Sequence, residues 1–158
     1  MPHVPDGAGW ADLAAADPEL AASGRAILER SGHGTGLLAT IRGDLPPRIH
    51  PMSVEILDGR LLTVALAGSA KAADLEQDGR YALHSHQDPA KPDEFQVRGR
   101  AVVISDAAVR AAAVARWHFE VADDDLVVEL RIEHALLGER PDASTWPPVY
   151  RSWRPNAG

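Results

Sequence analysis

Cysteine is absent from this 158-residue chain, which excludes disulfides, thiolate metal centres and a cysteine nucleophile. Lysine is nearly absent: Lys71 and Lys91 stand against 14 arginines. Positive charge is in deficit, with 16 cations against 23 anions and a net charge of −7, which argues against nucleic-acid or anionic-membrane partners. No apolar run approaches the roughly 20 residues of a membrane span. The start, Met1-Pro2-His3-Val4-Pro5-Asp6, lacks the charged and apolar regions of a signal peptide, so a cytoplasmic location is expected. No internal repeat or low-complexity linker divides the chain. What remains is 45% hydrophobic and 25% charged, an ordinary globular composition. A chain this long buries roughly 70% of its unfolded surface, so one domain over 1–158 is expected. Alanine and arginine are abundant in the manner of a GC-rich genome, so Ala-rich stretches weigh little as evidence for helix.

Residues 1–9 read as a loose leader. A helical pattern over 10–31 contains Asp17-Pro18-Glu19, an N-cap, a first-turn proline and an acid, and stops at Ser31-Gly32. The period then changes. Residues 36–42, 48–57 and 60–66 read as strands, the last two joined by Asp58-Gly59, a strong hairpin signal. Together they form an antiparallel meander. Ser69 is placed to cap a short helix over 70–77, and strands follow at 80–86 and 94–104. Ser105-Asp106 opens a helix running to about Phe119, and strands at 126–137 and 148–153 complete the chain. The expected fold is α+β, mostly an antiparallel barrel-like sheet over 36–154 with inserted helices.

Chemistry narrows by elimination. His84 and His86 alternate onto one face of a strand, with Glu94 beyond them, but the spacings disagree with the cupin metal motif and no second motif follows; no metal is expected. No G-x-S-x-G elbow exists, and Asp123-Asp124-Asp125 reads as a solvated turn. Gly32-His33-Gly34-Thr35-Gly36 precedes a strand and fails the dinucleotide and P-loop patterns. Gly68-Ser69-Ala70-Lys71 is different: a strand ends, glycine allows close approach, and a helix opens with free N–H groups, a hydroxyl and an ammonium. That is the make-up of an anion site, to which Arg48 adds a guanidinium. The alternative reading of these residues is a capped helix with solvated cations.

Arg48-Ile49-His50-Pro51, the Asp58-Gly59 hairpin and the segment Gly68-Ser69-Ala70-Lys71-Ala72-Ala73-Asp74-Leu75-Glu76-Gln77-Asp78-Gly79-Arg80 resemble the pyridoxamine 5′-phosphate oxidase-like split β-barrels, as does Glu94 to Ala101. The resemblance implies a homodimer binding FMN, or in some branches the deazaflavin coenzyme F-420, in a groove between subunits. By matching position it implies that Ser69, Lys71 and Arg48 hold the cofactor phosphate and that His50, Pro51 and Met52 line the ring. It also implies that His84 and His86 approach the ring edge or substrate, and that Glu94 stands where the oxidases carry a flavin-contacting glutamine. Ala70 replaces an arginine of that pattern and Gly79 a proline, and the C-terminal substrate-phosphate motif is missing, which argues against vitamin B6 oxidation. The expected activity is oxidoreduction with a small-molecule substrate or electron acceptor and no catalytic residue assigned. For the deazaflavin alternative, Arg25 and Arg30 would meet the cofactor's polyglutamate tail. Seven histidines keep open a non-redox haem or ligand binder, and a cofactor-free dimer is the third reading.

Overall fold

The computed structural model describes residues 7–156. Two short helices come first, α1 (Trp10–Ala16) and α2 (Pro18–Leu28), where one helix over 10–31 was expected. The break is local chemistry: Asp17 precedes a proline, is pushed out of the helical region to φ −141° and ψ 81°, and turns its carboxylate onto Leu20 N–H at 3.0 Å. The expected loose leader is also corrected over the three of its residues that are described. Ala8 is buried and exchanges both backbone hydrogen bonds with Ile132, at 2.9 and 2.8 Å; residues 1–6 lie outside the described residues.

Seven strands follow: β1 (Thr35–Thr40), β2 (Arg48–Leu57), β3 (Arg60–Ala65), β4 (Arg80–His84), β5 (Glu94–Val103), β6 (Leu126–Glu139) and β7 (Val149–Trp153). All pair antiparallel in the order β3-β2-β1-β4-β5-β6-β7, and β3 also pairs with the first part of β6. Six strands therefore close into a barrel, and β7 lies outside it along the last residues of β6. The meander was read correctly, and Asp58 (φ 49°) and Gly59 (φ 73°) make the two-residue turn between β2 and β3 that such twist favours.

Alternation fills the barrel. Leu38, Met52, Val54, Ile56, Leu61, Leu83, Phe95, Val97, Leu130, Ile132, Ala135 and Leu137 belong to one buried cluster, each fully buried Leu, Ile or Phe contributing roughly 1.5–3 kcal/mol. The inward set on β6 changes parity between Ile132 and Ala135 because the β5–β6 register slips at Arg98/Gly99, leaving Glu133 as the extra residue of a bulge. Gly99 permits the bulge: a Cβ there would lie 2.1 Å from the Arg131 carbonyl oxygen. Helix α2 packs Leu20, Ala21 and Leu28 into the same cluster. Helix α3 (Ala70–Gln77) matches expectation, while α4 (Ala107–Val114) is shorter than the predicted run to Phe119. After Ala115 the chain turns so that Trp117 packs, with Ala113, over Leu62 and Val127 on the outside of the barrel. No helix among the described residues is long and apolar enough to cross a membrane.

Candidate functional site

The predicted anion site assembles where β2 begins and α3 starts. The chain leaves β3 and turns through Gly68 (φ 73°), with Ser69 N–H donating to the Leu66 carbonyl at 3.1 Å. Ser69 Oγ then accepts from Ala72 N–H at 3.2 Å, and Lys71 stands half-buried in the first turn. Apart from its own chain neighbours, no atom of the described residues lies within 4 Å of where a Gly68 Cβ would sit, so the approach to this helix end is open.

Beneath it is a residue that motif reading quoted but gave no role. Asp74 is 1% exposed. Its Oδ2 accepts from Thr40 Oγ1 at 2.8 Å and Arg48 Nε at 3.0 Å, and Arg42 Nε lies 3.5 Å from Oδ1. One buried carboxylate thus fixes two guanidiniums beside the α3 N-terminus. The signal for it was the D-L-x-x-D run, but its partners lie 26 to 34 positions away.

His50 completes the group. Burial lowers its pKa, the Lys71 ammonium and then Arg48 push it the same way, and Asp74 opposes them. The imidazole is therefore held neutral at pH 7, and its Nε2 is buried without a hydrogen-bond partner. The structure brings Arg48 and Lys71 together, with Ser69 capping the helix beside them, and places His50, expected to line the ring, among these cations. Asp78 closes the other end of α3: the Arg80 guanidinium and Gly43 N–H hold its carboxyl well below the usual carboxylate range.

The other predicted residues divide. Met52 turns into the barrel core, and Pro51 sits on the outer face opposite Leu37. Leu37 in turn faces His84, so Pro51, Leu37 and His84 cross three strands in one row. His84 pairs with Glu94 at 3.2 Å through Nε2 and with the Ser85 carbonyl at 2.6 Å through Nδ1. Glu94 also lies close to Tyr150, whose pKa is raised by desolvation and then by that carboxylate. His86 lies past the end of β4, exposed, and among the described residues only its carbonyl is engaged, by Arg30. Arg30 also donates to the Lys91 and Asp93 carbonyls, and Arg25 is paired with Glu29 at 3.1 Å. Neither arginine is free for an acidic tail.

Sequence reasoning missed a second concavity further along β2, of about 430 Å³, walled by Ser53, Glu55, His33, Arg116, Trp117 and His118. His33 stacks on His118 with centroids 4.4 Å apart, and Arg116 pairs with Glu55 at 2.9 Å. The failed Gly-rich motif contributes His33; nothing in the chain's local pattern linked it to a loop 85 positions later.

The chain is similar in fold to several solved structures. A haem-binding protein from Mycobacterium smegmatis superposes with a TM-score of 0.59 at 17% identity over 82% of this chain, which spans 57% of that protein's length. A NimC/NimA family protein from Clostridium acetobutylicum gives 0.61 at 16% over 83% of this chain and 94% of the other. A putative pyridoxamine 5′-phosphate oxidase from Listeria innocua gives 0.55 at 20% over 70% and 91%. Among curated proteins none matches. The family model for pyridoxamine 5′-phosphate oxidase matches residues 23–137, from inside α2 through nearly all of β6 and across every residue of the Lys71 cluster, and the chain belongs to that family.

Proposed function

We propose that the protein binds FMN and acts as a flavin-dependent oxidoreductase on a small-molecule substrate or electron acceptor, working as a cytoplasmic homodimer. The observation that carries this reading is the group formed by Lys71, Arg48 and His50 at the open N-terminus of α3. Arg42 and Arg48 pair with one carboxylate, Asp74, and Lys71 stands with Asp74 and Arg48 around His50, three cations to one anion, an excess of two charges. A phosphate monoester carries between one and a half and two negative charges near neutrality, so the excess matches it. The orphaned His50 Nε2 and the unobstructed space at Gly68 both fit a phosphate seated there. Lys71 and the α3 N–H groups would hold its oxygens, Arg48 would present a guanidinium pre-set by Asp74, and His50 would donate from a neutral ring. The flavin, when bound, supplies the hydride chemistry; the chain's part is anchoring, orientation and an apolar wall.

Exposed apolar residues support the second copy. Ile49, Leu37 and Leu45 lie at 69%, 36% and 49% exposure on or beside the β1–β2 outer face that carries Pro51 and His84. A deazaflavin is the less favoured ligand, since Arg25 and Arg30, the cations expected for its tail, are engaged within the chain.

An absorption and fluorescence spectrum of protein purified from an actinobacterial host, with mass spectrometry of the heat-released ligand, tests the reading. FMN is expected, and Lys71→Ala should weaken its binding tenfold to a hundredfold, the loss of a charge-assisted contact of roughly 1.5–3 kcal/mol. A deazaflavin or a Soret band would replace FMN with that ligand. A colourless protein that refuses FMN in titration would overturn the proposal.

A further inference from the structure

A second set of cations lies on the outer face of the barrel, on other elements than the Lys71 cluster. The β5–β6 register sets Arg98 directly opposite His134, and directly opposite residues share a face. The β6–β7 register sets Ala135 opposite Trp153, so the next step along the two antiparallel segments brings Arg154 beside His134. Arg98, His134 and Arg154 form one row across three segments, with neighbours about 4.8 Å apart in the pairing direction. They line a concavity of about 320 Å³, closed at its sides by Arg80, Tyr81 and Glu133.

The charges in this hollow do not cancel. Burial lowers the His134 pKa, and Arg154 and then Arg98 push it the same way, so both guanidiniums direct their field at one ring. Arg80 is forked onto Asp78, and Glu133 is engaged by Arg100 at 3.9 Å. Arg98 and Arg154 have no ion pair and no side-chain hydrogen bond among the described residues. In a chain with 23 acids, two guanidiniums flank an imidazole, and Glu133, the one carboxylate among the described residues that line the hollow, is already shared.

We propose that Arg98, His134 and Arg154 form a binding site for a small anion carrying two or more acceptor oxygens, a phosphate monoester or a polycarboxylate. The site is independent of the flavin reading. Guanidinium forks donate to such oxygens in pairs, and His134 adds an N–H between them. A bound anion offsets both arginine fields, so it favours the imidazolium, and affinity rises as pH falls through the histidine range. The groups facing the ring are Arg98 on β5, Glu133 on β6, Arg154 after β7, and Arg80 and Tyr81 on β4.

Calorimetric titration of the full chain carrying Lys71→Ala, which weakens the other anion site at least tenfold, tests this with inorganic phosphate and with tricarballylate. One saturable site is expected, and the stronger probe identifies the source as phosphate or carboxylate. Adding Arg98→Gln and Arg154→Gln should weaken it at least tenfold; both side chains are exposed, so the unfolding midpoint should stay put. Sulfate, which does not titrate near neutrality, should bind more tightly at pH 6 than at pH 8, and His134→Gln should erase that difference. The proposal is overturned if neither probe binds, or if the arginine variants leave affinity unchanged. It is equally overturned if those variants turn a dimer into a monomer in sedimentation without altering anion binding, for the arginines then meet the acids of a second copy.

Discussion

Asp74 offers the sharpest test of the local physics, because its neighbours differ so much from it in exposure. The carboxylate is 1% exposed while Arg42 and Arg48 are 31% and 38% exposed. Removing a partner from a fully buried pair costs about 3–5 kcal/mol, but here both guanidiniums can turn to water once released. The lasting loss is the two charge-assisted hydrogen bonds to the carboxylate, from Arg48 and from Thr40, with a small cavity. Asp74→Ala should therefore cost about 3 kcal/mol, near the bottom of that range. Asp74→Asn keeps an acceptor for Thr40 and should cost about 1.5–2 kcal/mol. For a chain of this size 1 kcal/mol shifts Tm by roughly 2–4 °C, so the alanine variant should melt about 6–12 °C lower. Urea unfolding at pH 7 and fixed protein concentration, paired with Thr40→Val in a double-mutant cycle, measures the coupling. An Asp74→Ala midpoint indistinguishable from wild type, or zero coupling to Thr40, would refute the idea that this carboxylate organises the site.

Other expectations follow from single contacts. Asp78 has a folded-state pKa held low by Arg80 and Gly43, so its contribution is present above the unfolded carboxylate pKa and lost as pH falls through the folded one; the stability gap between wild type and Asp78→Asn should be constant from pH 6 to 8 and shrink below about pH 4. Gly99→Ala drives a Cβ into the Arg131 carbonyl and should lower stability by at least about 3 kcal/mol, read by thermal melting; a melt unchanged from wild type would show that the bulge can relax. Asp106 Oδ1 accepts from Ala108 and Val109 N–H at 2.9 and 3.0 Å, so Asp106→Ala should cost about 1 kcal/mol and be rescued by Asp106→Ser.

Most of the fold is legible because its signals are local. Period-two alternation, the Asp58-Gly59 turn and the caps at Ser69 and Asp106 each occupy a few consecutive residues, and each element they mark is present. The errors arise where two local rules compete. Asp17-Pro18 carried a helix-start signal inside a longer helical pattern, and steric exclusion of the pre-proline residue decided for two helices. Trp117 and Phe119 continued a helical spacing, yet the apolar surface of Leu62 and Val127 drew Trp117 out of helix. The closing β3–β6 pair joins residues more than 60 positions apart, and no local pattern announces such a pairing.

The site was half legible for the same reason. Lys71, Ser69 and Arg48 could be read from the chemistry that an open helix end needs, and the structure brings them together. What fixes them could not. Asp74 meets Thr40 only after β1 has been laid beside α3, and meets Arg48 only after β2 has paired with β1. A carboxylate at that depth would be costly alone; it is tolerable because the barrel delivers a hydroxyl and two guanidiniums to it. The same ties hold Arg48 in place without consuming the excess positive charge at the α3 N-terminus. Position and charge are therefore set by different residues: Asp74 orients, while Lys71 and the helix end attract. Replacing Lys71 should thus weaken anion binding while leaving stability nearly untouched, and replacing Asp74 should lower stability first.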